Sequence, residues 1–276
     1  MTTVWYNGEW ANADNLRITS DNRGLLYGDG LFETMRCKNG KPLFLDLHFE
    51  RLKHGLSVLK LKTENITKEF LEIKIAELNK RNSHQSGSRI RVVITRNPGA
   101  AYSPNENTAT LLITSQPCDD YRFSWPESGL QVDVYSEIKK PINALSSFKN
   151  CNSLIYILAS VDYKNKNLND QLILNERNEI CEGTSSNIFW IKNNQTYTTP
   201  LTAGCVNGVL RQVLINLLNV QEKSLSEKEL IEADEVFLSN MGTGIRWIRL
   251  FRNKEFTHST TKEIFNLLNK KLEAYE

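Results

Sequence analysis

The alternation of apolar and polar residues divides the chain into short strands and helices. A hairpin is predicted near the N-terminus, because Asn7-Gly8 separates two runs of β-forming residues. Helices are predicted where apolar residues recur every three or four positions. The predicted helices start at Asp46 or span 68–81, 154–159, 209–218 and 261–276. The predicted strands span 31–36, 43–45, 89–95, 109–114, 130–136, 171–175, 187–191 and 235–245, the last ending in a glycine-rich turn.

The periodicity is lost over residues 115–129, which carry prolines, glycine and charged residues. Such composition is typical of a connection between domains. We therefore predict an N-terminal domain over 1–117, a linker over 118–129 and a C-terminal domain over 130–276. A second polar stretch, 96–108, separates two predicted strands and is a candidate substrate loop.

The composition is that of an ordinary globular protein, with 40% hydrophobic and 24% charged residues. A net charge of +2 gives no reason to expect nucleic acid or a membrane surface as a partner. No signal peptide is visible, and the apolar runs are too short to span a bilayer. Five scattered cysteines suggest free thiols, and the dispersed histidines predict no metal site. We expect a cytoplasmic protein.

Lys149 lies within the stretch 146–153, after two serines and before the helical pattern that begins at Leu154. Asn150, Asn152 and Ser153 are residue types that cap helix starts. A lysine at such a junction can point into a cleft, where its amine could form a Schiff base with a carbonyl compound. Taken alone this is weak, because most of the 34 Lys and Arg residues must be solvated.

Three further features could serve the same chemistry. Glu182 is predicted to lie in a small-residue loop between two strands. The predicted helix start at 208–210 and the glycine-rich turn at 241–244 offer backbone N–H groups to an anion, to which Arg51 could add a charge. An amine, a carboxylate and an anion cradle match the needs of pyridoxal phosphate. Each feature also has an ordinary structural explanation, and spacing alone does not select this cofactor.

Five motifs, in the same order along the chain, resemble those of the class IV aminotransferases. They are the run 27–36, His48-x-x-Arg51-Leu52, Lys149-x-x-Asn152, the run 182–189 and the run 208–211. These fold type IV pyridoxal-phosphate enzymes include branched-chain aminotransferases, D-amino-acid aminotransferases and 4-amino-4-deoxychorismate lyases. The resemblance covers nearly the whole chain. It implies a two-domain α+β fold like that of the D-amino-acid aminotransferases, with a smaller N-terminal α/β domain and a larger C-terminal domain.

The resemblance also implies a role for each matching residue. Lys149 would attach pyridoxal 5'-phosphate covalently and act in catalysis, and Glu182 would pair with the ring nitrogen. Arg51, the N–H groups of Val209 and Leu210, and the turn at Met241 and Gly242 would hold the phosphate. Tyr27, Arg36, Arg96 and Tyr102 would line the substrate side. The resemblance further implies a homodimer and a small, amino-acid-like substrate.

Two departures from the branched-chain pattern favour the lyases. Asn240 precedes Met241-Gly242 where the aminotransferases usually carry a threonine on the phosphate turn, so either Thr243 or backbone groups alone must complete that site. Leu154 stands where branched-chain enzymes place a tyrosine. The run 206–212 also resembles the lyases. The expected reaction is elimination from 4-amino-4-deoxychorismate in folate biosynthesis. A branched-chain or D-amino-acid aminotransferase is the alternative, and a cofactor-binding protein without turnover is a remote one.

Overall fold

The computed structural model describes residues 2–275, and the chain folds as two compact units. The first unit contains residues up to Tyr121 together with Phe148–Asn152, and the second contains Arg122–Ser147 and the chain from Ser153 onward. The crossing after Tyr121 lies within the segment 118–129. Phe148–Asn152 belong to the first unit, whereas the sequence-based limits assign them to the C-terminal domain. Met1 and Glu276, the outer limits of those domains, lie outside the described residues.

A six-stranded antiparallel sheet forms the frame of the first unit. Its strands are β1 (Thr3–Tyr6), β2 (Glu9–Asn12), β3 (Gly30–Lys38), β4 (Lys41–Pro42), β5 (Gly87–Arg96) and β6 (Ala109–Pro117), in the order β2-β1-β6-β5-β3-β4. The predicted hairpin is confirmed, with Asn7 and Gly8 at φ 46° and 106° in its turn. The long strands β3 and β5 pair along their full length from Gly30 to Lys38.

Three helices complete the first unit: α1 (Arg23–Tyr27), α2 (Leu45–Val58) and α3 (Lys68–Arg81). The bounds of α3 match the predicted 68–81. Apolar residues of α2 and α3 pack with the buried face of the sheet to form one core, which Phe148 joins at 1% exposure. A Cβ at Gly55 of α2 would lie 2.7 Å from the ring of Phe148, so a larger residue there would displace this anchor.

The strand predicted over 43–45 is wrong. Phe44 adopts a left-handed conformation with φ 54°, and α2 begins directly after it at Leu45. Leu43, Phe44 and Leu45 are all buried, at 1%, 6% and 7% exposure. A short buried apolar run therefore looks like a strand in the sequence, although here it forms the turn that starts a helix.

A nine-stranded mixed sheet forms the frame of the second unit. Its strands are β7 (Leu130–Lys140), β8 (Asp170–Asn175), β9 (Ile180–Gly183), β10 (Asn187–Lys192), β11 (Gln195–Thr198), β12 (Val220–Glu222), β13 (Glu235–Asn240), β14 (Gly244–Phe251) and β15 (Lys254–Glu255). The order is β12-β11-β10-β13-β14-β7-β8-β9, with β15 paired to β14. The pairs β11–β12, β14–β7 and β7–β8 are parallel.

The helices of the second unit are α4 (Leu154–Asn165), α5 (Val209–Leu217), α6 (Glu227–Ile231) and α7 (Ser259–Glu273). The predicted terminal helix is confirmed as α7, which begins two residues earlier than predicted and ends at Glu273. Leu172, Ile188 and Leu238 are among the fully buried residues of the main core of this unit. Within residues 2–275, no helix has the length and apolar character to cross a membrane.

Candidate active site

The segment that carries Lys149 is bound to the start of β3 in the first unit. The carbonyl of Lys149 accepts a hydrogen bond from the Phe32 N–H at 2.8 Å, and the Cys151 N–H donates to the Gly30 carbonyl at 2.9 Å. Asn150 forms a β-bridge with Leu31. The Lys149 amine lies over the ring of Phe32, 4.8 Å from its centroid. These contacts fix the backbone of Lys149 and place its amine on the face of β3 opposite to the core.

Asn152 ties this segment to the first glycine-rich motif. Its side-chain amide donates to the Gly28 carbonyl at 3.3 Å. Gly28 has φ 63°, and a Cβ there would lie 2.7 Å from Asn152 Oδ1, so this position requires glycine. Ser153 occupies the N-cap position of α4 without a side-chain capping hydrogen bond. The asparagine of Lys149-x-x-Asn152 therefore joins two motifs of the first unit and does not cap the helix.

Arg51 of α2 is paired with a buried carboxylate, Glu33 of β3. Arg51 Nε donates to Glu33 Oε1 at 2.7 Å, and Nη2 donates to Oε2 at 2.6 Å. Burial alone would raise the pKa of Glu33. The charge and hydrogen bonds of Arg51, assisted by His48, outweigh burial and lower that pKa from 4.5 to about 2. The direction of the Arg51 guanidinium is thus set by Glu33, and its role toward a phosphate stays a prediction.

His48 completes this cluster one turn before Arg51 on α2. Its Nδ1 lies 2.7 Å from Glu33 Oε2, and the ring is fully buried. Burial lowers the pKa of His48 despite the opposing effect of Glu33, so the ring is neutral at neutral pH. A neutral ring facing a carboxylate through Nδ1 carries its proton there. Within the described part of the chain, His48 Nε2 has no hydrogen-bond partner.

Arg96, predicted to contact substrate, makes internal hydrogen bonds in the structure. Its Nε donates to Asp29 at 2.9 Å, Nη1 to Asn107 Oδ1 at 2.6 Å and Nη2 to the Leu59 carbonyl at 2.7 Å. The residue is 7% exposed. These contacts join both ends of the 96–108 loop to the rest of the first unit, and they favour a loop-holding role over substrate contact.

Tyr27 and Tyr102 lie together, with ring centroids 5.6 Å apart. Arg23 connects them, because its guanidinium lies 4.9 Å from the Tyr27 centroid and its Nη1 donates to the carbonyls of Ala100 and Ala101 at 2.7 Å. Tyr102 is 89% exposed. The structure therefore brings together two of the predicted substrate residues on the surface of the first unit.

Arg36 lies four residues after Phe32 on β3, so the two side chains share one face of the strand. Its Nη1 donates to the Asp120 carbonyl at 3.1 Å. The residue is half-buried, and this burial lowers the pKa of its guanidinium. A cation on the face that carries the Lys149 amine is compatible with a predicted substrate role for Arg36.

In the second unit, Glu182 lies on a strand, and the loop predicted for it is wrong. It belongs to β9 and pairs with Ile173 of β8. The carboxylate is 3% exposed and accepts from three donors: the Lys140 amine and the Tyr156 hydroxyl at Oε1, and the Val206 N–H at Oε2. These donors compensate for burial of the charge, which is why an acidic residue is accommodated in a strand here.

Lys140 and Tyr156 are site residues that the sequence analysis does not identify. Lys140 ends β7 and is 6% exposed, and Tyr156 lies on the first turn of α4. Burial, together with the negative charge and hydrogen bond of Glu182, raises the pKa of Tyr156 well above its usual value, so its hydroxyl is a donor. The sequence does not indicate an inward-facing lysine here, because residues 136–139 of β7 are exposed and the register of the strand shifts between Tyr135 and Lys140.

The start of α5 provides backbone donors, as predicted from the sequence. The helix begins at Val209, and its N-cap residue Gly208 supplies no side-chain cap. The first N–H groups of a helix have no partner within the helix, and the helix dipole favours an anion beside them. A Cβ at Gly208 would lie 1.9 Å from Asn187 Oδ1, so only glycine permits this approach.

The turn between β13 and β14 has its own internal acceptor. Asn240 Oδ1 accepts from the N–H groups of Gly242 and Thr243 at 2.8 Å and from the Thr243 hydroxyl at 3.1 Å. Asn240 Nδ2 donates to Ser186 Oγ at 2.8 Å. The Asn240 side-chain oxygen thus occupies the position at which an anion could otherwise accept from these donors. The cofactor roles of Met241 and Gly242 stay predictions.

The family model for amino-transferase class IV matches residues 30–251. The chain belongs to this family. The match spans β3, the Lys149 segment, β9 and the start of α5. The resemblance derived from the sequence motifs is confirmed.

The curated relatives of this chain are named for more than one activity. A D-alanine aminotransferase of Staphylococcus haemolyticus is 27% identical over 87% of this chain and 86% of its own length. An aminodeoxychorismate lyase of Vibrio harveyi is 26% identical over 87% of this chain and 88% of its own length. Identity at this level does not distinguish the two activities.

Solved structures confirm the predicted α+β fold of class IV aminotransferases. A branched-chain aminotransferase from the thermophilic archaeon Thermoproteus uzoniensis superimposes with a TM-score of 0.89, covering 99% of this chain and 96% of that one. Its identity to this chain is 24%, so the likeness shows the fold alone.

Class IV aminotransferases use pyridoxal 5'-phosphate, and solved relatives hold pyridoxal derivatives. The residues of this chain fit that group. An ionised carboxylate has about four acceptor sites, of which Glu182 uses three for Lys140, Tyr156 and Val206. One acceptor site is left on Oε2 for a ring N–H. The start of α5, without a side-chain cap, offers donors of the kind that a phosphate needs.

Proposed function

We propose that this protein is a pyridoxal-phosphate-dependent 4-amino-4-deoxychorismate lyase. The reaction divides the substrate into 4-aminobenzoate and pyruvate, and it needs no second substrate. It would serve folate biosynthesis in the cytoplasm. The proposal extends the family assignment by one step, from the class of enzyme to the reaction.

In this proposal Lys149 carries the cofactor and moves the proton. Its backbone is hydrogen-bonded to β3, which fixes the position of its amine over the ring of Phe32. The substrate amine would displace the Lys149 amine, which then takes the α-proton as a base and returns a proton as an acid. Asn152 supports this position indirectly, because it fixes the segment to Gly28.

Glu182 is proposed to hold the ring nitrogen in its protonated form. When bound, pyridoxal phosphate accepts the electrons released by loss of the α-proton, and a protonated ring does this best. The buried carboxylate is held by Lys140, Tyr156 and the Val206 N–H. Arg51, oriented by Glu33, and the N–H groups of Val209 and Leu210 are proposed to bind the phosphate.

The observation that carries the choice of the lyase is the position of Leu154. Branched-chain aminotransferases have a tyrosine at this place, but Leu154 is 71% exposed at the start of α4. Tyr156 lies two residues further along the same helix, and its hydroxyl donates to Glu182. Asn240 on the phosphate turn departs from the aminotransferase pattern in the same direction.

A D-amino-acid or branched-chain aminotransferase is the second candidate. It is supported by the D-alanine aminotransferase of Staphylococcus haemolyticus, whose identity to this chain, 27%, is as high as that of the lyase relative, 26%. Both reactions begin with loss of the α-proton to the same lysine. They differ afterwards, because a transaminase needs a keto acid to complete its cycle and the lyase does not.

One experiment separates these activities. The purified enzyme with pyridoxal phosphate is given aminodeoxychorismate alone and, in a second reaction, D- or branched-chain amino acids with 2-oxoglutarate. We expect 4-aminobenzoate and pyruvate in the first reaction and no glutamate in the second. Glutamate without 4-aminobenzoate would establish the aminotransferase. Absence of both, with cofactor bound, would indicate a binding protein without turnover. Lys149→Ala is the control for non-enzymatic decay of the substrate.

We also propose that the protein is a homodimer. Four apolar residues lie on one face of α4 at helical spacing and are exposed: Leu154, Ile157, Leu158 and Val161, at 71%, 54%, 43% and 52%. A contiguous exposed apolar face of this kind is typical of an interface between protein chains. Light scattering should give twice the chain mass for the wild type, and the double variant Ile157→Glu, Val161→Glu should shift it toward the monomer.

A further inference from the structure

Lys140 is a buried cation at the carboxylate that is proposed to serve the cofactor. It is the last residue of β7 and is 6% exposed, while Glu182 is 3% exposed. The Lys140 amine pairs with Glu182 Oε1 and lies 3.4 Å from the Ser146 carbonyl. It also lies 5.4 Å from the centroid of the Tyr156 ring. All these residues belong to the second unit.

The donors around Glu182 are distributed unevenly between its two oxygens. Oε1 accepts from both Lys140 and Tyr156, the latter at 2.7 Å. Among residues 2–275, Oε2 accepts from the Val206 N–H alone, at 2.9 Å. Since each carboxylate oxygen has about two acceptor sites, Oε1 is saturated and Oε2 retains one. The arrangement therefore decides which oxygen can accept another donor.

We propose that Lys140 is a positioning residue for Glu182: it pairs with Oε1 and so leaves Oε2 as the oxygen that accepts the ring N–H. This inference rests on the proposed role of Glu182 toward pyridoxal phosphate. Lys140 and Tyr156 occupy Oε1, so a further donor can reach the carboxylate only at Oε2.

In this proposal Glu182 has two positively charged partners, Lys140 and the protonated ring of the cofactor. The effect of each on stability should depend on whether the other is present. In the cofactor-free protein, Lys140 is the cationic partner, and removing it leaves a buried charge unpaired, which is strongly destabilising. In the loaded protein, the protonated ring supplies a second positive group. Loss of Lys140 should therefore destabilise the cofactor-free protein more than the loaded protein.

The test measures thermal unfolding midpoints of the full chain with and without saturating pyridoxal phosphate, for the wild type, Lys140→Met, Lys140→Arg, Glu182→Gln and the double variant Lys140→Met, Glu182→Gln. We expect the cofactor to raise the midpoint of Lys140→Met by roughly 5 to 10 °C more than it raises that of the wild type. Lys140→Arg should restore wild-type behaviour. Without cofactor, the double variant should be more stable than Lys140→Met, because it removes the unpaired charge.

Two results would overturn the inference. Additive effects of Lys140→Met and Glu182→Gln in the cofactor-free protein would show that the pair is not coupled. Equal stabilisation of the wild type and Lys140→Met by the cofactor would show that Lys140 has no connection with the ring site. Lys192→Met is the matched control, because it removes an ion pair with Glu232 at the surface of the same unit. Failure of the wild type itself to bind cofactor would instead refute the proposed function.

Discussion

Arg51 and Glu33 form a two-point ion pair in the interior of the first unit, with N–O distances of 2.7 and 2.6 Å. Glu33 points inward from β3 and Arg51 points toward it from α2. The planar guanidinium matches the planar carboxylate, so both side chains are fixed in orientation as well as in distance. Glu33, which has no proposed contact with the ligand, therefore sets the orientation of Arg51, which is proposed to bind phosphate.

This pair should make stability depend on pH in the acid range. The pKa of Glu33 is 4.5 in an unfolded chain and about 2 in the folded protein, so its contribution is complete above pH 4.5 and is lost as the pH falls toward 2. At pH 3 the loss amounts to about 2 kcal/mol relative to pH 7. We expect Glu33→Gln to be less stable at pH 7 and to lose about that much less between pH 7 and pH 3, measured by urea unfolding.

Glu50→Gln is the matched control for this experiment. Glu50 lies on the same helix as Arg51 but is exposed, so its replacement should leave the pH dependence unchanged. If Glu33→Gln followed the wild-type curve between pH 7 and pH 3, the low pKa of Glu33 would be wrong.

The attachment of the cofactor to Lys149 can be tested without any turnover. Borohydride reduction of the wild type with pyridoxal phosphate should add one cofactor mass to the peptide that contains Lys149. Lys149→Ala should give no such adduct, because no other amine has a proposed bond with the cofactor. Lys53→Ala, an exposed lysine two residues after Arg51, is the control and should react like the wild type. Modification of another lysine in place of Lys149 would contradict the assignment.

Glu182→Gln should separate cofactor binding from proton removal. Glutamine keeps the size of the side chain but cannot hold the ring nitrogen protonated, so the released electrons are accepted less well. We expect bound cofactor with exchange of the substrate α-proton slowed by roughly a hundredfold or more, which corresponds to about 3 kcal/mol. Exchange is measured by NMR in deuterated water.

Glu179→Gln is the comparison for this variant. Glu179 lies three residues before Glu182 and pairs with Arg177 near the surface. Its replacement should leave α-proton exchange near the wild-type rate. A Glu182→Gln enzyme that exchanges as fast as Glu179→Gln would remove Glu182 from the mechanism.

Much of the fold could be predicted from the sequence because periodicity reports burial. Helix α3 and the strands β5 and β6 follow directly from the spacing of apolar residues. The same signal fails at Phe44, where a buried apolar run forms a turn. It fails again at Glu182, because a charged residue in a buried strand is acceptable only when specific donors surround it, and those donors come from distant parts of the chain.

The residues around the candidate site were harder to predict than the residues within it. Lys149 and Glu182 belong to motifs that resemble those of a known family. Lys140 has no motif of its own, and it precedes Glu182 by 42 residues along the chain. Its burial depends on the partner that β7 and β9 bring to it. A lysine in the sequence carries no sign of such a partner, and surface lysines are far more common.

Arg96 should contribute to stability more than to substrate binding. Its guanidinium donates three hydrogen bonds within the first unit, to Asp29, Asn107 and the Leu59 carbonyl. We expect Arg96→Gln to lower the free energy of unfolding by roughly 2 to 3 kcal/mol, since hydrogen bonds from a charged donor are lost and buried acceptors remain. Urea unfolding measures this change. Arg89→Gln, an exposed arginine on the same strand, is the control. A stable Arg96→Gln enzyme with a raised KM would restore the substrate role.

The exposed ring of Tyr102 gives the most direct test of the predicted substrate loop. Tyr102 is 89% exposed and contacts Tyr27, while Arg23 binds the two carbonyls that precede it. An exposed ring contributes little to folding, so Tyr102→Ala should unfold at the wild-type midpoint. If the ring contacts substrate, KM should rise roughly five- to tenfold with kcat nearly unchanged. Tyr102→Phe keeps the ring and should behave as the wild type. Unchanged KM in Tyr102→Ala would place the substrate contact elsewhere.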